Sequence, residues 1–203
     1  MILGLTTLSD ANIARVAGDP PLVWRVLAPD DPEHYEEARG AVARPSFLGR
    51  LFGKGAAKAP DADPAGPFAL GDDEGVSTDL DKAWHGIHYL LTGTAWEGNA
   101  PLNFLVAGGR EVGDIDVGYG PARVLTAAET RAAHTALAGI GDEALCARFD
   151  PTGMMESEIY PEIWDRSPDE DDTLGYLMDY VRILRTFLAE AVVRQHGLVI
   201  SLT

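Results

Sequence analysis

His85 and His88 stand three residues apart within Leu80–Gly93, LDKAWHGIHYLLTG, and Asp81 lies one turn before His85. On a helix, residues three or four apart share a face, so these side chains have the spacing of a metal or acid–base cluster. The familiar same-face zinc pair has histidines four apart with a catalytic glutamate between them, and neither feature is present. The competing reading is a buried histidine that donates one hydrogen bond, beside an exposed one. Leu80, Trp84, Ile87, His88 and Leu91 recur at three- and four-residue steps, which puts His88 inside an apolar stripe and favours that second reading. These residues therefore call for no metal and no cofactor.

Other chemistry-bearing stretches are incomplete. In PTGMMESEIYPEIW, Pro151–Trp164, the carboxylates Glu156, Glu158 and Glu162 lie close to Tyr160 and Trp164. Paired carboxylates divide acid and base roles when their surroundings split their pKa values, but glutamates near a turn in an acidic chain are read first as solvated. Gly113, Gly118 and Gly120 form neither GxGxxG nor GxxxxGK[ST], so the phosphate-loop reading yields to an exposed loop leading into an edge strand, Val117–Leu125, interrupted at Pro121. Cys146 is the single cysteine, which excludes an internal disulfide and a cysteine-based zinc cluster.

Composition bounds what these residues can serve. The chain has 203 residues, 46% of them hydrophobic, enough for one domain with a sizeable core. Its formal charge of −16 disfavours nucleic acid and anionic membranes, which need a cationic surface, and leaves a basic protein partner open. No stretch approaches the roughly 20 apolar residues of a membrane span. The start, MILGLTTLSD, lacks a cationic region ahead of an apolar run, so the expectation is a soluble, cytoplasmic protein made without export.

The elements that must position the candidates follow from periodicity and punctuation. Met1–Thr7 reads as a strand, followed by a helix capped at Ser9 or Asp10 and another beginning at Pro21. The Ala-, Gly- and Pro-rich stretch of about 41–75 reads as a flexible insert. Within it, Pro45–Lys58 is basic and aromatic, suited to docking on an acidic or membrane surface or to folding back on its own domain. The central helix, capped at Ser77, Thr78 or Asp79, ends at Gly93. Gly86 inside it costs about 1 kcal/mol against alanine, which points to a close approach by another element. Leu102–Ala107 reads as a short buried helix. Thr126 and Glu129 have the spacing of a capping box opening a helix that runs to Gly139 or Gly141, and a shorter helix at Asp142–Phe149 places Cys146 in a buried position. The longest helix opens at Thr173 with a continuous apolar stripe, and Leu198–Leu202 reads as a last strand in one sheet with the first. Few strands separated by helices give a mostly helical α+β single domain over residues 1–203, with a small sheet including the N- and C-terminal strands.

Three ordered motifs, LDKAWHGIHYLLTG, GPARVLT at Gly120–Thr126 and EIYPEIW at Glu158–Trp164, precede the long C-terminal helix. In this the chain resembles the bacterial YfbM-like family, a domain of unknown function. The resemblance covers the start at Met1 and most of Ser77–Thr203, with the insert outside it. It implies a small cytoplasmic α+β protein and supplies no biochemical role. The positions that match the family pattern are Asp81, Trp84, His88, Gly93, Pro121, Arg123, Tyr160 and Pro161.

Two functions stay open at this level. The first is a binding or interaction protein, without enzymatic activity, that engages and neutralises a basic partner. The second is an enzyme or small-ligand-binding domain, in which His88, Arg123 and Glu158 converge as base, anion clamp and acid. The candidate pocket residues are Trp84, His88, Arg123, Glu158 and Tyr160.

Overall fold

The computed structural model describes residues 1–43, 67–167 and 169–203. The chain begins with β1 (Leu3–Leu8), α1 (Asp10–Gly18), a single 3-10 turn (Pro20–Leu22), α2 (Val23–Leu27) and α3 (Pro32–Ala43). It continues through β2 (Ser77–Asp79), α4 (Trp84–Thr92), β3 (Arg110–Asp116), β4 (Pro121–Leu125), α5 (Ala127–Ala138), α6 (Asp142–Cys146) and α7 (Pro151–Glu156). It closes with α8 (Thr173–Val193) and β5 (Gly197–Leu202).

The five strands form one antiparallel sheet in the order β2-β1-β5-β4-β3. The first and last strands pair along their whole length, from Leu3 opposite Leu202 to Leu8 opposite Gly197, so the two ends of the chain make the centre of the sheet. Alternation along the strands then divides the core. Leu3, Leu5, Leu125, Leu198 and Ile200 face α4, α5 and α8, while Val112, Ala122, Val124 and Val199 face α1 and α2. Each large side chain so enclosed contributes about 1.5–3 kcal/mol by leaving water.

The caps follow the local chemistry. Ser9 accepts the Asn12 amide at the head of α1, and Thr126 and Glu129 exchange both hydrogen bonds of a capping box at the head of α5. Asp172 accepts the Gly175 amide at the head of α8, the main core helix.

Several boundaries differ from the sequence reading. Arg110–Asp116 is a strand rather than a loop, and β4 begins at Pro121 and lies inside the sheet, between β5 and β3. Proline fits there because it takes the first position of the strand. The turn between them is held by Asp116, whose carboxylate accepts the amides of Gly118 and Gly120. Ser77–Asp79 does not cap α4 but pairs with β1, and α4 starts at Trp84 without a side-chain cap. Leu102–Ala107 is a run of turns and not a helix, α3 was not foreseen, and Cys146 is only partly buried. Of the expected insert, Ala41–Ala43 ends α3. Pro67–Gly75 is tied to α1 through the Glu74 carboxylate, which accepts from the Ser9 amide (2.7 Å) and Asn12 Nδ2 (2.7 Å). The basic and aromatic patch Pro45–Lys58 lies outside the described residues.

Candidate functional site

α4 carries the candidate histidines and is anchored from below at its one glycine. A Cβ built on Gly86 would lie 2.7 Å from Leu177 Cδ2 and 2.8 Å from the Trp164 ring, so α4 and α8 approach as closely as the sequence suggested. Gly93, in the left-handed region, ends the helix by donating its amide to the Tyr89 carbonyl at 2.7 Å.

Both histidines are fully buried, where the sequence reading had one exposed. The surroundings of His85 define its tautomer. Its Nδ1 accepts the Tyr160 amide at 3.0 Å, so Nε2 bears the proton and donates to the Ala95 carbonyl at 2.8 Å. Its ring also stacks on Trp84, with centroids 4.8 Å apart, and lies 4.3 Å from the Trp96 ring. His85 is thus a neutral strut joining α4 to two loops, and burial holds its pKa below the ordinary range. Asp81, for its part, accepts the Tyr176 hydroxyl at 3.0 Å. Among the described residues, no group of three or more His, Cys, Asp or Glu side chains is placed to hold a metal.

His88 differs from its neighbour. Neither ring nitrogen has a hydrogen-bond partner among the described residues, and the indole Nε1 of Trp84, one turn earlier, is equally unpartnered. Burial first, then electrostatic repulsion of a second proton by the neighbouring His85 and by the Arg123 charge, pull the His88 pKa down to about 4, and a contact with the Glu97 backbone opposes them without reaching hydrogen-bond geometry. A neutral imidazole results.

Arg123 stands in the sheet row Leu5, Ile200, Arg123, Glu111, on the face that meets α4 and α8. Its guanidinium donates to the carbonyls of Phe104 (3.0 Å), Leu105 (2.5 Å) and Gly108. Phe104 and Leu105 are buried within the Leu102–Ala107 turns and Gly108 follows them; the turns form no helix and so leave these carbonyls free for the fork. Burial lowers the Arg123 pKa to about 10, and the opposite Glu111 charge resists that shift.

Between the turn that Arg123 holds, the Trp84 ring and the sheet lies a cavity of about 230 Å³. Its lining includes Trp84, Trp96, Glu111, Tyr119, Arg123 and Ile200. Trp96 is 56% exposed and Tyr119 62% exposed, and among the described residues they are the exposed large aromatics.

Of the five pocket residues expected from sequence, Trp84 and Arg123 line this cavity. His88 lies one turn beyond Trp84 on α4 but is not part of the lining. Tyr160 packs toward Trp84, with ring centroids 6.1 Å apart, and its hydroxyl accepts the N-terminal ammonium at 2.9 Å. Glu158 is exposed on the turn after α7, at φ 52°, and does not line the cavity. Trp96, Tyr119 and Glu111 were missed. The available signal was an aromatic residue in each of two glycine-containing loops, TAWEGN and VGYG.

A larger groove, about 760 Å³, runs between α3 and β3 beside Trp24, Glu37 and Ile115. None of the five expected residues lines it. Its rim includes Ala41 and Val42, at the margin of the described chain.

Residues 1–201 match the family described as a domain of unknown function, DUF1877. The chain is also similar to the crystal structure of YfbM from Escherichia coli, a protein of unknown function, with 18% identity, a TM-score of 0.61 and 98% of each chain covered. At that identity the likeness concerns the fold. No curated protein matches the chain.

Proposed function

Because this chain belongs to the DUF1877 family, whose description assigns no activity, we propose its function from the site: it is a binding protein whose recognition surface is the cavity framed by Trp84, Trp96, Tyr119 and Arg123. One observation carries this reading. The exposed large aromatics among the described residues, Trp96 and Tyr119, both border the same cavity. Exposed tryptophan and tyrosine at a formed hollow are the residues that supply contact area at low entropic cost and dominate interface energetics. The setting fits a cytoplasmic protein of strongly negative charge that engages a basic protein partner.

The enzymatic alternative has less support. A base, a clamp and an acid need to reach one reacting atom. His88 is enclosed and neutral, two of the three guanidinium nitrogens of Arg123 are engaged by backbone carbonyls, and Glu158 stands outside the cavity lining.

A photo-crosslinking amino acid placed at Tyr119 in the native cell tests the binding reading against the same group placed at Val193, which is 81% exposed on α8. A discrete adduct from position 119 and none from position 193 is the expected outcome. Equal labelling from both positions, or labelling from 193 alone, refutes the cavity as the recognition surface.

A further inference from the structure

We propose that the cavity receives the cationic end of one basic side chain, arginine in preference to lysine, presented by a partner protein; this rests on the binding reading above. Size is the first argument. Pockets for whole small-molecule ligands run from about 300 to 1,000 Å³, and this hollow of about 230 Å³ falls short of them while holding a single long side chain. Single side chains that fill a pocket are also the usual anchors of protein interfaces, with arginine among the most frequent.

The walls select the chemistry. Trp96 and Tyr119 are exposed aromatic residues on its wall, and aromatic faces attract cations through the ring quadrupole; Trp84, also in the lining, is 1% exposed and stacked on His85. Glu111 adds an exposed carboxylate, the group that a guanidinium engages in a two-pronged hydrogen bond. Arg123 keeps its positive charge, but its Nη atoms are committed to the carbonyls of Phe104, Leu105 and Gly108, whose dipoles partly offset it, and Glu111 stands directly across the ladder. An anionic guest would meet both Glu111 and a chain of net charge −16. An aliphatic guest would cover Glu111 without pairing it. A guanidinium is planar and weakly hydrated, so it stacks on indole and lies beside Arg123 at less cost than a compact ammonium.

The four tryptophans make the test direct, because each indole N–H gives its own NMR signal in the full chain labelled with ¹⁵N. Trp84 and Trp96 report the cavity, Trp24 reports the larger groove, and Trp164, whose Nε1 donates to the Ile159 carbonyl at 2.7 Å, reports the integrity of the fold. The probes are capped Gly-Arg-Gly, Gly-Lys-Gly, Gly-Gln-Gly and Gly-Leu-Gly peptides and free methylguanidinium, each taken to about 10 mM because one side chain binds in the millimolar range. The arginine peptide should shift the Trp84 and Trp96 signals saturably, the lysine peptide more weakly, and the glutamine and leucine peptides not at all. E111Q should weaken the arginine peptide by about tenfold, and D114N, which removes a carboxylate of the larger groove, should leave it unchanged.

Equal weakening by E111Q and D114N would reduce the effect to general charge attraction and overturn the proposal. Methylguanidinium binding as tightly as the arginine peptide would overturn the claim that a partner's side chain is the occupant. A response to the leucine peptide alone would overturn the cation while leaving the cavity as a binding site. Silence from every peptide also rejects the cation, and the crosslink from position 119 then decides separately whether the cavity binds a partner at all.

Discussion

Arg123 and Glu111 face each other directly across the β3–β4 ladder, yet both Nη atoms of the arginine are hydrogen-bonded to the backbone of the Leu102–Ala107 turns and the adjoining Gly108. The guanidinium therefore builds the cavity before it serves any ligand. It fixes a segment without helical structure over the sheet, and the hollow is the space left between them.

Loss of Arg123 should accordingly be a loss of stability. R123M removes three hydrogen bonds from a charged donor and leaves buried carbonyls unpaired, at a cost of about 2–4 kcal/mol in urea unfolding. R123K keeps the charge but not the fork, and should recover less than half of that. Hydrogen exchange at the Val106 and Gly108 amides, which donate to Asn103, should speed up in both variants. Wild-type stability in R123K would mean that charge, rather than fork geometry, holds the turns.

Gly86 sets the spacing of α4 and α8. Alanine there gains about 1 kcal/mol of helix propensity, but its Cβ would overlap Leu177 and Trp164 at 2.7–2.8 Å, and overpacking costs about 1–3 kcal/mol. G86A should therefore be net destabilising by up to about 2 kcal/mol in chemical denaturation, and a stabilised G86A would show that the two helices have slack.

The two histidines should respond in opposite ways to replacement by leucine. H85L breaks two hydrogen bonds, to Ala95 and from Tyr160, and should cost about 2–3 kcal/mol. H88L replaces a buried ring with no partners by an apolar side chain, and should be neutral or stabilising.

His88 also contributes a pH dependence. It titrates near 6.5 in the unfolded chain and near 4 in the fold, so between those values the unfolded state binds more protons. The His88 contribution is complete above about 6.5 and declines as pH falls toward 4, by an amount on the order of 2–3 kcal/mol. His85 shifts in the same direction. Unfolding free energies measured from pH 7 to 4 should fall in the wild type and fall less in H88L. Parallel curves would place the titration elsewhere.

Sequence pattern made the long-range frame legible because its signals are local. The capping box at Thr126 and Glu129, the stripe on α8, the close approach at Gly86 and the placing of first and last strands in one sheet all appear as expected. The elements that escaped depend on partners distant in sequence. Ser77–Asp79 has a capping composition but is a strand because β1 offers it a ladder, and Arg110–Asp116 has a glycine-rich look but is a strand because β4 pairs with it. The site was half legible for the same reason. Trp84 and Arg123 sit in recognisable motifs, whereas Trp96 and Tyr119 lie in loops placed by partners distant in sequence or by turn geometry: His85 holds the Ala95 carbonyl, and the Tyr119 amide donates to the Leu202 carbonyl in a turn closed by Asp116.

The central claim is that Trp96 and Tyr119 form the recognition surface. With the partner captured from position 119 in hand, calorimetry on the wild type, a W96A/Y119A double variant and an I183A/V193A double variant tests it most directly. Both substituted pairs are exposed, so both variants should keep the wild-type fold. The account predicts that W96A/Y119A weakens the partner by more than about a hundredfold, the loss of two anchors at about 1.4 kcal/mol or more each, while I183A/V193A binds as the wild type does. Unchanged affinity in W96A/Y119A would contradict it.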